Sequence, residues 1–175
     1  MGRGQRSASS AGGPRRSKGE RRIASVLAFL PPAREQLVVA IDEFGDDFDA
    51  DVVAAAASGH ARERNKVAAL ERDFEVLVNW LDELAARGVA EALRCGTTES
   101  HAGTSFDRLH AAGAISSRSA QRLNELRRVR DELQHTYVPH LRAKLLHRAV
   151  EALLAELDRF VDRYETWAKR VGLLS

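Results

Sequence analysis

The chain is expected to be all-α, an antiparallel bundle of four to five helices. Three observations predict this. Apolar residues make up 44 % of the chain and lean on Ala, Leu and Val, whereas aromatics are only 6 %. That mixture suits helices packed on helices better than a sandwich or barrel. Apolar residues recur at three- and four-residue steps, with no run of period-two alternation. From Ala33 to Ser175 only Pro139 interrupts the chain, so long helices are permitted.

Residues 1–22 carry seven Lys and Arg against Glu20 alone. The remainder carries 20 basic and 24 acidic residues, so the sequence pI of about 9.0 belongs to this arm rather than to the folded part. A basic arm with almost no apolar content reads as a disordered, solvated tail. It is also the kind of arm that holds RNA phosphates loosely, without sequence preference. Folded structure is expected from Ile23, with residues 23–60 forming additional N-terminal helices and 61–170 the main bundle.

Pro31-Pro32 reads as a helix start, followed by Leu37, Val38, Ile41 and Phe44 at helical spacing. Gly45 with Asp46, Asp47 and Asp49 breaks the run. Val52 to Ala57 resumes it, and Ser58-Gly59 ends it. The acidic group Asp42, Glu43, Asp46, Asp47, Asp49 and Asp51 lacks the glycine and ligand order of a calcium loop and reads as a solvated turn. Val67, Leu70, Phe74, Leu77, Val78, Leu81 and Leu84 then mark the clearest helix, with Gly88 as a natural stop. A short helix to Cys95 and a polar loop follow. Ser105 is expected to cap a short helix carrying Phe106 and Leu109, and Ser116 or Ser117 to cap a long one through Leu133. The last helix follows Pro139, with Leu145, Leu146, Ala149, Leu153, Leu157, Phe160, Val161 and Trp167 on its apolar face.

Several function classes are set aside by composition. A lone cysteine, Cys95, allows no internal disulfide and fits a reducing cytosol; it has no evident partner for nucleophilic chemistry. No apolar run approaches the ~20 residues of a membrane span, and no hydrophobic core follows the basic N-terminus. A cytoplasmic protein without a membrane is therefore expected. His140 lies five residues after His135 and His147 seven after that, whereas metal helices prefer three or four. No Gly-rich phosphate loop or nucleotide fingerprint is present. Neither a metal nor a cofactor is expected.

The chemistry concentrates at the end of the long helix, in Leu126-Arg127-Arg128-Val129-Arg130-Asp131-Glu132-Leu133-Gln134-His135-Thr136-Tyr137-Val138-Pro139. A histidine can take or give a proton near neutral pH, and an arginine matches phosphate oxygens with its fork of donors. Such a pair suits proton transfer with stabilisation of charge on a phosphate, and no metal is obligatory where the substrate carries its own nucleophile. On that chemistry His135 is the expected general acid/base and Arg130 the phosphate clamp. On an ideal helix residues 130 and 135 point about 140° apart. A shared site therefore requires Arg130 to reach around, the helix to kink near Pro139, or a second copy to complete it. Asp131 lies four before His135, on nearly the same face, and is expected to orient the imidazole as a supporting residue. The plainer alternatives are a surface His–Asp pair, an arginine stem packed on the apolar stripe, and a tyrosine at the core's rim.

This segment resembles the R-x4–6-H signature of the HEPN family and the narrower R-x4-H-x-Y form of HepT-like toxins. The upstream order is similar as well: Ser105-Phe106, Leu109, Gly113-Ala114-Ile115, then Leu123 through Tyr137. The likeness covers roughly residues 62–165. The residue after the arginine, commonly asparagine in that family, is Asp131 here. The resemblance implies a HEPN-like bundle and an endoribonuclease toxin that acts as a homodimer with two motifs facing one cleft. It implies 2′,3′-cyclic phosphate ends on the RNA substrate. It also implies a minimal nucleotidyltransferase antitoxin that transfers AMP from ATP to Tyr137. HEPN domains that accompany nucleotidyltransferases without cutting RNA supply the alternative, a binding module, and a helical adaptor is the third reading.

Overall fold

Ser17 and Glu20 start the first helix. Ser17 Oγ accepts from the Glu20 backbone N–H at 3.0 Å, and Glu20 accepts from the Ser17 N–H at 2.8 Å, a reciprocal capping box. The computed structural model describes residues 17–46 and 48–175. It contains, among those residues, six helices and no strand: α1 (Lys18–Asp42), α2 (Ala50–Ala57), α3 (Ala61–Arg94), α4 (Ser105–Ala111), α5 (Ser117–Leu133) and α6 (Pro139–Arg170). The all-α bundle is as expected, built on four long helices and two short ones.

The start of α1 corrects the expected tail. Lys18 to Arg22 are helical because the capping box precedes them; residues 1–16, the rest of that tail, lie outside the described residues, as does Asp47 of the acidic turn. Pro31 and Pro32 do not start a helix either, since both stand inside α1. Ile23, Val26, Leu30, Leu37 and Ala40 form one buried stripe that runs across the prolines and packs on α3. Both prolines are exposed, so the carbonyls they leave without donors face the wet side of the helix. By length and composition α1 is the one described helix able to cross a membrane, which corrects the expectation that no run qualifies. Its stripe here is covered by α3 instead.

Asp49 caps α2, accepting from the N–H groups of Asp51 (2.7 Å) and Val52 (2.8 Å). These bonds, first Val52 and then Asp51, hold its carboxyl below the usual range. Asp51 pairs with Lys144 of α6 at 2.6 Å. Two members of the acidic turn are thus explained by capping and packing.

Helix α3 is the axis of the bundle. It runs unbroken for 34 residues, about 51 Å, through Gly88, which is not the stop expected from sequence. Gly88 is buried, and a Cβ there would lie 2.4 Å from the Tyr164 hydroxyl of α6. The glycine serves close approach of two helices rather than termination. Contacts set the directions. Ser17 meets Glu91 and Arg22 meets Glu83, so α1 runs antiparallel to α3. Asp82 meets Arg127 and Asn79 meets Arg130, so α5 is antiparallel too. Glu71 meets Arg142 and Gly88 meets Tyr164, so α6 runs parallel to α3. The additional N-terminal helices share one core with the rest, α1 against α3 and α2 against α6 and α3.

Thr104, not Ser105, caps α4, because the acid three residues on, Asp107, completes a box with Thr104. Asn124 of α5 ties in by donating to Asp107 at 2.8 Å. Ser105 instead donates to Asp82 of α3. Ser116 caps α5, accepting from Ser119 N–H at 3.1 Å.

The Tyr164 hydroxyl is buried and has no hydrogen-bond partner; burial pushes its pKa up. Tyr164→Phe removes an unsatisfied polar group, so stability should be unchanged or higher by about 1 kcal/mol. Gly88→Ala should cost about 1–3 kcal/mol by overpacking, and less in the Tyr164→Phe background. Urea unfolding of the two single variants and the double variant measures both effects and their coupling.

Candidate functional site

The site is built where α5 stops. Leu133 is fully buried and anchors the last turn. His135 N–H donates to Glu132 O at 3.0 Å, and Thr136 Oγ1 donates to the same carbonyl at 3.0 Å, which folds the chain back on itself. Pro139 then begins α6 as its first residue. The expected kink is therefore a complete break. Pro139 has no N–H to continue the ladder and its fixed φ suits the first turn of a new helix.

The break decides how the motif residues relate. His135 lies beyond the end of α5, so the helical angle between positions 130 and 135 does not apply. It is exposed, and its imidazole makes no polar contact with any described residue. Tyr137 is 86 % exposed, the most exposed large hydrophobic side chain among the described residues. It borders a cleft of about 290 Å³ lined by Arg64, Val67 and Glu71 of α3 and by Pro139 and Arg142 of α6.

Arg130 points the other way, onto α3. Its Nη1 donates to Asn79 Oδ1 at 2.5 Å, and its Nε and Nη2 donate to Asp131 Oδ1 at 3.1 and 2.8 Å. Its side chain is only 16 % exposed. Asp131 is thus turned onto Arg130 and makes no polar contact with His135; the expected orienting role depended on a helix that ends too early. Arg130 and Asp131 are brought together, whereas His135 and Tyr137 stand on the adjoining loop without polar contact to either.

Asn79 belongs to a polar seam along α3 that sequence reading missed. Glu71 accepts from Arg142, Asn79 from Arg130, and Asp82 from Ser105 and lies 3.7 Å from Arg127. Glu75 sits within this seam. Burial, then the Glu71 charge, raises its pKa, while Arg142 and Arg130 oppose the rise. The signal was present: positions 71, 75, 79 and 82 recur at helical spacing among the apolar residues of α3. Without a partner helix they read as an ordinary solvated face.

The other histidines do not converge. His147 is packed against the Phe48 ring, with centroids 4.7 Å apart, and lies 3.6 Å from Glu151. His140 is exposed at the start of α6. Among the described residues no group of three or more His, Cys, Asp or Glu is placed to hold a metal ion.

No family model matches the chain, and neither the curated proteins nor the solved structures contain a match to it.

Proposed function

We propose that the chain is a metal-independent endoribonuclease toxin of the HEPN, HepT-like kind. The observation that carries this reading is the R-x4-H-x-Y segment at the α5–α6 break. It presents an unengaged imidazole at His135 and an almost fully exposed ring at Tyr137, five and seven residues after a partly buried arginine. In the reaction the RNA 2′-oxygen bonds to phosphorus and the bond from phosphorus to the 5′-oxygen breaks. One proton moves from the 2′-hydroxyl to the leaving oxygen, with His135 in its path. Arg130 stabilises charge on the equatorial oxygens. The products are a 2′,3′-cyclic phosphate and a 5′-hydroxyl. The proposal includes a cytoplasmic homodimer and a minimal nucleotidyltransferase antitoxin that transfers AMP from ATP to the Tyr137 oxygen with release of pyrophosphate, placing charge and bulk at the exposed loop.

One observation favours a second reading, a non-catalytic HEPN module that partners a nucleotidyltransferase. The Arg130 guanidinium is already engaged by Asn79 and Asp131. Incubation of RNA with the purified chain in EDTA separates the two. Cleavage that persists in EDTA and disappears in both His135→Ala and Arg130→Ala supports the nuclease. No cleavage by folded protein that is unmodified at Tyr137 supports the module.

A further inference from the structure

The outer face of α3 beside Arg130 carries a second feature that the motif does not use. Val76, Asn79, Trp80 and Glu83 line an open hollow of about 250 Å³. Trp80 forms one wall. It is stacked with Phe29 of α1 at 5.7 Å and 12° between planes, and the Arg22 guanidinium lies 5.5 Å from its ring centroid. Phe29 and Val76 are themselves exposed, at 51 % and 38 %. Trp80 is half-buried against the core, and its exposed part with Phe29 leaves a rigid aromatic wall rimmed by polar groups, the form of a ligand platform.

Two connections indicate the ligand. First, Asn79 belongs both to the hollow and to Arg130: its Oδ1 accepts from Arg130, while its amide nitrogen has no hydrogen-bond partner among the described residues. A group lying against Trp80 therefore sits beside both a free amide donor and the motif arginine. Second, the far side of the hollow leads to a basic region. Arg22 and Arg87 share one carboxylate, Glu83, and with Lys18 they line a larger depression of about 750 Å³ at the start of α1. Along the hollow stand the Arg130 guanidinium from α5, the Asn79 amide, the Trp80 wall, and then the Glu83 carboxylate with the Arg22 and Arg87 cations that share it. Flat ring, amide and flanking cations together match an unpaired base followed by its phosphates.

We propose that this hollow is a single-stranded RNA subsite, in which one unpaired base stacks against Trp80 next to Arg130 and the adjoining backbone runs toward Lys18, Arg22 and Arg87. It rests on the proposed function in taking RNA as the ligand, but binding is measured apart from cleavage. Duplex RNA keeps its bases stacked and cannot place one in the hollow.

The test uses the full chain as His135→Ala, so that RNA stays intact, and a labelled oligouridylate. Trp80 reports directly, because the only other tryptophan, Trp167, is 2 % exposed. Expected are saturable quenching of tryptophan fluorescence by the oligonucleotide and, by anisotropy, roughly 5- to 150-fold weaker binding on Trp80→Ala. Trp80→Phe, which keeps a stacking ring, should retain most of the affinity, and an unchanged far-UV circular dichroism spectrum of Trp80→Ala shows that its loss is not unfolding. Replacing Arg22 and Arg87 should flatten the salt dependence by about one unit per lost phosphate contact. Equal affinity of Trp80→Ala, equal binding of duplex and single strand, or a doubled mass with Trp80 fluorescence changing by protein concentration alone would each overturn the subsite. The last outcome assigns the face to a second copy of the chain. If wild-type protein cuts RNA while Trp80→Ala binds normally, the subsite fails and the nuclease stands; if Trp80 binds RNA but nothing is cut, the reverse holds.

Discussion

Alanine at position 135 is expected to lower RNA cleavage by about 10²–10⁴-fold, the usual contribution of a positioned general acid or base. Its effect on stability should be small. His135 is exposed and its side chain bonds to nothing among the described residues, so removing it should change unfolding free energy by no more than about 0.5 kcal/mol. That separation is what makes the result informative. Arg130→Ala should also abolish cleavage, but it leaves Asn79 and Asp131 without their shared donor and opens a partly buried position. Arg130→Lys should not restore activity, because a point charge on a flexible stem cannot reproduce the planar fork. Single-turnover cleavage and thermal unfolding of all three variants check the pattern. A His135→Ala variant that cuts at the wild-type rate would remove the proposed acid/base.

The largest effect on stability is expected at Glu156. This carboxylate is fully buried in α6 and accepts from the Ser119 hydroxyl, from Arg122 Nη1 at 3.1 Å and from Arg159 Nη1 at 3.1 Å. Ser119 and Arg122 belong to α5, so Glu156 fastens the two helices on either side of the motif break. Glu156→Ala leaves the buried Ser119 hydroxyl without its acceptor, together with a cavity and two unpaired guanidinium groups. A cost of about 3 kcal/mol is expected, at the lower end for breaking a buried ion pair, because both arginines are 40 % or more exposed and can return to water. In a chain of this size that lowers Tm by roughly 6–12 °C. Ser119→Ala should cost less, since the carboxylate keeps both arginines. Differential scanning calorimetry distinguishes the two; equal losses would mean that the hydroxyl, not the charge pair, holds the helices together.

Helical periodicity was enough to place most of the long elements. The buried set of α3 begins with the seven apolar positions expected for it, and α6 buries Leu146, Ala149, Leu153, Leu157, Phe160 and Trp167 from its expected face. Of the two capping candidates named for α5, Ser116 is the one that caps it. Where two neighbours competed, as at Thr104 and Ser105, the acid three residues on decided. Two of the failures share one origin. Proline and glycine were read as local punctuation, yet Pro31-Pro32 and Gly88 both lie inside helices because a neighbouring helix makes the continuous form worthwhile.

The motif itself shows the same division. Sequence alone determined an all-helical chain and the order Arg130, Asp131, His135, Tyr137 before the proline that must end a ladder. Those properties depend on side chains and backbone groups within a few residues of each other. Only the tertiary structure decided that the arginine turns inward to Asn79 while the histidine and tyrosine stay outside, and that Phe29 and Trp80 meet across α1 and α3. These pairs lie tens of residues apart, so no local periodicity encodes them; they exist because packing the apolar stripes brings the helices' polar edges into register.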